Sequence, residues 1–197
     1  MNNIKKVCVF ASSSDFLAPV YYDDAKKLGK LLGQNGYDIV YGGSTLGMMW
    51  ACAEQVRQNG GKIFGVMPQR LVDMGCRTDN CDEFVLAQGM RDRKDTMDKM
   101  SDAVIALAGG FGTLEELSEM IVQKQLGYNK KPIVILNTDG FYDNLLRFFD
   151  TVISENFANK ASANLFFVAS TPFDAVEYIK NYVEPQNIPS KHEIYSR

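Results

Sequence analysis

The stretch that decides the fold is Ala103-Val104-Ile105-Ala106-Leu107-Ala108-Gly109-Gly110-Phe111-Gly112-Thr113-Leu114-Glu115-Glu116. Residues 103–107 form a short, continuous apolar run, as a strand buried on both faces requires. A glycine-rich loop follows, and a helical pattern then continues to Leu126. Strand, tight loop and helix in that order make one step of a βα repeat, and the rest of the chain repeats the step. Residues 4–10 read as a strand, residues 11–14 as a loop, and Asp15 opens a helix that ends near Gln34. That helix carries Leu17, Tyr21, Ala25, Leu28 and Leu32 at helical spacing. Further strands are expected at 37–41, 62–67, 83–87, 133–136 and 166–169. Helices are expected at 46–59, 90–100, 141–154 and 171–182, and residues 68–82 read as loop or short helix. Strands separated by helices of this length imply an α/β fold. The expected form is a single doubly wound parallel sheet with helices on both faces, spanning residues 1–184 before a polar tail at 185–197.

Composition bounds the chemistry. The chain has 197 residues, 46% hydrophobic and 23% charged, enough for a core that needs no disulfide or metal staple. Its net charge of −3 lacks the basic footprint of a general nucleic-acid binder. His192 is the single histidine, so a histidine triad would depend on the tail and an HExxH zinc site is impossible. Cys8, Cys52, Cys76 and Cys81 form no CxxC pair and read as reduced thiols of a cytoplasmic protein. The N-terminal apolar run is too short for a secretory or membrane segment. Catalysis, if present, must use carboxylates, Arg, Lys, Cys, Tyr or backbone amides.

In a doubly wound sheet, ligands bind beyond the carboxyl ends of the strands. Three loops of small residues fall there: 11–14, 42–47 and 108–113. Two run directly into helices, whose first-turn amides attract anions. The 109–113 loop is neither a dinucleotide fingerprint, since Glu115 stands where a third glycine would be, nor a Walker A loop. Glu115 and Glu116 beside a phosphate would need balancing cations, and Arg91, Arg93 and Lys94 precede the strand at 103–107. Read alone, those basic residues fit a solvated helix face equally well.

The segment Gly109-Gly110-Phe111-Gly112-Thr113-Leu114-Glu115-Glu116 resembles the PGGxGTxxE signature of the LOG ("lonely guy") family, often labelled lysine decarboxylases. Met90-Arg91-Asp92-Arg93-Lys94 resembles its upstream MHxRK element. Ser12-Ser13, Tyr41-Gly42-Gly43, Gly47-Met48-Met49, Gly65-Val66-Met67-Pro68 and Lys131-Pro132 match further elements in order. The resemblance implies a Rossmann-like, usually homodimeric phosphoribohydrolase that uses no metal and no pyridoxal phosphate. Such an enzyme cleaves the N-glycosidic bond of an N-substituted adenosine 5'-monophosphate. It further implies that Arg93 and Glu116 are catalytic, and that Lys94, Gly110, Phe111, Gly112, Thr113, Leu114, Glu115, Gly43 and Ser13 bind substrate. An oxocarbenium-like state would find a partner in Glu116, oriented by Arg93 or with Arg93 on the phosphate.

The chain departs from the family pattern in places. Ala108 replaces a proline, Arg91 a histidine and Trp50 a glycine, and Val122-Gln123 stands in place of a Thr-Trp pair. A family glutamate has no match near Gly75. Trp50 could narrow the pocket, stack on a base, or pack at a dimer contact. Non-enzymatic molybdenum-cofactor carriers resemble the same fold and provide the alternative, but a carrier has no need of Glu116 and Arg93. A pyridoxal-phosphate decarboxylase finds no lysine in a recognisable Schiff-base setting.

Overall fold

The computed structural model describes residues 4–184, so the expected tail at 185–197 and His192 lie outside the described residues. Seven strands form one all-parallel sheet: β1 (Lys6–Phe10), β2 (Asp38–Tyr41), β3 (Ile63–Pro68), β4 (Glu83–Ala87), β5 (Ala103–Ala106), β6 (Ile133–Leu136) and β7 (Phe167–Ala169). Their order is β4-β3-β2-β1-β5-β6-β7, as the strand and helix alternation predicts for a doubly wound sheet. The chain leaves β1 in one direction and returns through β5 in the other, which makes the β1–β5 junction the switch point where such sheets bind ligands.

The intervening helices are α1 (Pro19–Gln34), α2 (Gly47–Gln58), the short α3 (Gln69–Asp73), α4 (Met90–Lys99), α5 (Phe111–Gln125), α6 (Asp143–Ser154) and α7 (Pro172–Lys180). Successive strand residues point to opposite faces. Val7, Ile39, Ile105 and Val134 therefore face α1, α2 and α7, whereas Cys8, Val40, Val104 and Ile133 face α4, α5 and α6. Both faces are covered, so no apolar–polar alternation shows in the strand sequences.

The first helix begins later than the spacing predicts, at Pro19 and not Asp15. Proline suits the first helical position because its missing N–H would be unpaired there anyway. Asp15 stays in the preceding loop, where its carboxylate accepts the Gly47 N–H at 2.8 Å. Among the described residues no helix is long and apolar enough to cross a membrane.

Candidate active site

A cleft of about 430 Å3 opens at the carboxyl edge of the sheet, within the range of small-molecule sites. Its walls come from the loops after β1 to β5. Ser12, Ser13 and Ser14 follow β1, and Gly42 and Ser44 follow β2. Gly110, Gly112 and Thr113 form the start of α5. Leu46, Met49, Met67, Leu71 and Met90 give the cleft an apolar lining, and Cys76 also lines it.

Arg93 and Glu116 meet in the wall between α4 and α5. Arg93 is 8% exposed and Glu116 9%, and Arg93 Nη1 donates to Glu116 Oε1 at 2.7 Å. Arg93 Nε donates to the Val66 carbonyl at 3.1 Å, which fixes the guanidinium against β3. Gly42 makes room for it, since a Cβ there would stand 2.8 Å from Arg93 Nη2 and 3.1 Å from Met49 Sδ. Burial pushes the Glu116 carboxyl above its ordinary pKa, and the Arg93 cation opposes the rise. The outcome is a mostly desolvated carboxylate, held by one oxygen and lining the cleft.

The start of α5 lies on the same wall. No side chain caps it, and the bond nearest its start is Leu114 N–H to the Gly110 carbonyl at 3.0 Å. The helix therefore presents first-turn amides toward the cleft, a ready seat for an anion.

The other residues singled out from sequence are distributed differently. Ser13, Gly110, Gly112 and Thr113 line the cleft. Lys94 instead forms ion pairs with Glu115 and, at 2.6 Å, with Glu119, a cross-helix clamp outside the lining. These carboxylates raise the Lys94 pKa and keep it charged. Phe111 projects into solvent, 92% exposed, and Leu114 is half-buried behind it. Gly43 sits behind the lining, where its carbonyl accepts Thr78 N–H at 3.1 Å. Trp50 packs against the core on the α1–α2 side with the Arg57 guanidinium 5.7 Å from its ring, while Met49 faces the cleft. The apolar lining was the part sequence reading missed. Leu71 and Cys76 belong to the segment around α3, which carries no periodic signal and buries no helix residue.

Comparison with known proteins agrees with this architecture. A family model described as "Possible lysine decarboxylase" matches residues 49–179. A cytokinin riboside 5'-monophosphate phosphoribohydrolase of Oryza sativa subsp. japonica is 38% identical over 182 residues, covering 92% of this chain and 75% of that protein. A protein of the same description from Arabidopsis thaliana is 36% identical over 185 residues, covering 94% of this chain and 85% of the relative. Among solved structures, the molybdenum cofactor carrier protein of Chlamydomonas reinhardtii superposes with a TM-score of 0.70 at 23% identity, covering 90% of this chain and 97% of that one. The molybdenum cofactor binding protein of Rippkaea orientalis gives 0.69 at 24% identity, over 91% and 98% of the two chains. These structural likenesses establish the shared sheet, and the sequence relatives go further: the chain belongs to the LOG family, the one whose model carries the lysine decarboxylase description.

Proposed function

We propose that this protein hydrolyses the N-glycosidic bond of an adenosine 5'-monophosphate, N-substituted or plain, releasing the free base and ribose 5-phosphate. The observation that carries the reading is the buried Arg93–Glu116 pair in the cleft wall beside the uncapped start of α5. Breaking the bond between C1' and the base nitrogen leaves positive charge on the ribose ring. Glu116, ionised and desolvated, stabilises that charge, and Arg93 holds its orientation. Water adds its oxygen to C1', and its proton balances the departing base. The amides and Thr113 at the start of α5 seat the 5'-phosphate, each charge-assisted hydrogen bond adding roughly 1.5–3 kcal/mol. Leu46, Met49, Met67, Leu71 and Met90 offer apolar surface to the flat faces of the base and to an apolar N-substituent where one is present.

The same proposal covers assembly and location. A homodimer is supported by the apolar surface left on α5 and α6, where Val122, Leu126 and Phe148 stay exposed and α6 buries no residue. A cytoplasmic setting is supported by four cysteines that are all unpaired.

The deciding assay incubates the protein with AMP and isopentenyladenosine monophosphate and measures released base. Release from the monophosphates, with much poorer use of the nucleosides, is expected. No release from any nucleoside monophosphate, together with tight binding of a pterin cofactor, would replace this reading with that of a carrier. Equal turnover of nucleoside and nucleotide would remove the phosphate seat from α5.

A further inference from the structure

Resting on the reading of the cleft given above, we propose that Asp15 is a positioning residue for nucleotide binding. It tethers the serine rim, residues 12–14, to the first turn of α2.

The rim has no regular secondary structure, yet it is held from three sides. Ser12 N–H donates to the Ala108 carbonyl at 3.3 Å, the Ser12 carbonyl accepts Met48 N–H at 3.0 Å, and Tyr22 Oη donates to the Ser14 carbonyl at 2.7 Å. Asp15 adds the fourth tie, its Oδ1 accepting Gly47 N–H at 2.8 Å. The loop and the helix approach as closely as backbones can. A Cβ on Gly47 would stand 2.5 Å from the Ser13 carbonyl carbon and 2.6 Å from the Ser12 oxygen, and Gly47 holds a φ of +61°.

Two consequences reach the ligand. Ser12 Oγ accepts Ser14 N–H at 3.1 Å and Ser14 Oγ accepts Phe16 N–H at 3.2 Å, which leaves Ser13 as the serine of the three with no hydrogen bond among the described residues. Its hydroxyl is aligned only if the backbone on either side is fixed. In addition, Asp15 and Ser12 together consume the first two amides of α2, and the Asp15 charge offsets the dipole of that helix. An anion entering the cleft therefore meets one open helix start, that of α5, and one closed start, that of α2. Asp15 touches neither the reacting bond nor Glu116, so its effect falls on binding and not on the chemical step.

The test compares Asp15→Ala with Asp15→Asn, whose amide oxygen still accepts the Gly47 N–H. Asp15→Ala is expected to raise KM for the nucleoside monophosphate by about tenfold, the scale of one lost hydrogen bond to a charged group, with kcat within about twofold. Asp15→Asn should restore KM to within about twofold of the parent. Calorimetric titration with ribose 5-phosphate should show the same roughly tenfold weakening in Asp15→Ala. Because that titration needs no turnover, a parent protein that releases no base would overturn the hydrolase reading and leave the Asp15 result standing. Unchanged KM and unchanged ribose 5-phosphate affinity in Asp15→Ala would overturn the Asp15 proposal, as would an Asp15→Asn variant as weak as Asp15→Ala. A parent that fails to bind ribose 5-phosphate, with KM unchanged in Asp15→Ala, overturns the Asp15 proposal and leaves the hydrolase reading to the base-release assay.

Discussion

Two helices begin at the same edge of the sheet from glycine-bearing loops, and they differ in what their first turns do. The start of α2 is sealed: Gly47 N–H goes to Asp15, Met48 N–H goes to Ser12, and the loop after β1 presses against it. The start of α5 has no cap, opens on the cleft and carries Glu116 one turn further along. Glycine at a strand-to-helix turn therefore serves two unlike purposes. At α2 it lets protein approach protein. At α5 it leaves open space, since a Cβ on Gly110 or Gly112 would meet nothing within 4 Å, and the proposed phosphate seat uses that space.

The contrast is tested most severely at the ion pair behind α5. Glu116→Gln keeps an oxygen to accept from Arg93 and removes only the charge. Base release should fall by about 10²–10³, the scale of losing one preorganised electrostatic partner, with thermal unfolding little changed. Arg93→Ala acts differently, because it leaves a buried carboxylate unpaired. It should destabilise the fold by about 3–5 kcal/mol in denaturant titration, besides losing activity. If Glu116→Gln kept most of the parent activity, the start of α5 would be no more catalytic than that of α2.

Sequence marked both helix starts as anion-binding candidates and favoured the 109–113 loop for its three glycines and threonine, but it could not show that the other start is closed, and the reason is physical. The glycines of 42–47 and 109–112 are both local signals, visible in a few consecutive residues, and the strands beside them are short apolar runs that announce a buried parallel sheet. What separates the two starts is a contact between Asp15 and Gly47, 32 positions apart, which no local pattern encodes. The helical spacing from Leu17 to Leu32 even drew Asp15 into α1, although Pro19 marks the true start. The Arg93–Glu116 pair was legible only because both residues fall in family motifs, since spacing alone left Arg91, Arg93 and Lys94 equivalent. The structure separates them: Arg93 turns inward, Lys94 bridges Glu115 and Glu119, and Arg91 stays exposed. Met67, Leu71 and Cys76, from the end of β3 and the segment around α3, meet Leu46, Met49 and Met90 from other parts of the chain only at the sheet edge.

Glycine substitutions at the two starts should have smaller effects. Gly47→Ala must hold alanine at positive φ and push a methyl into the rim backbone. The expected cost is about 1–3 kcal/mol of stability, read as a lowered unfolding midpoint. Gly112→Ala lies inside a helix with open space around its Cβ, so it should gain about 0.5–1 kcal/mol of stability. Its methyl enters the region assigned to the phosphate, and KM for the nucleotide should rise by roughly tenfold, equal to about 1.4 kcal/mol. Stability and binding thus move in opposite directions at α5, whereas at α2 the primary effect is on stability. A Gly112→Ala variant with unchanged KM would break the assignment of the open helix start.

The smallest effect is a shift along the pH axis, and it has a distinctive sign. Burial raises the Glu116 pKa above the ordinary carboxylate value of 4.5, with Arg93 opposing. The ionised form is the one that stabilises an oxocarbenium, so the acid limb of kcat/KM should lie above 4.5, with activity rising through it. Stability runs the other way. A carboxyl with a raised folded-state pKa favours the folded state fully below its unfolded pKa, and that contribution is lost as pH rises through the folded value. Across this window, activity should increase while the Glu116 contribution to unfolding free energy decreases. Comparing the parent with Glu116→Gln isolates both slopes, because glutamine titrates in neither state. If the acid limb fell at or below 4.5, or if Glu116→Gln left the pH slope of stability unchanged, Glu116 would not be the desolvated carboxylate that distinguishes the α5 start from the sealed start of α2.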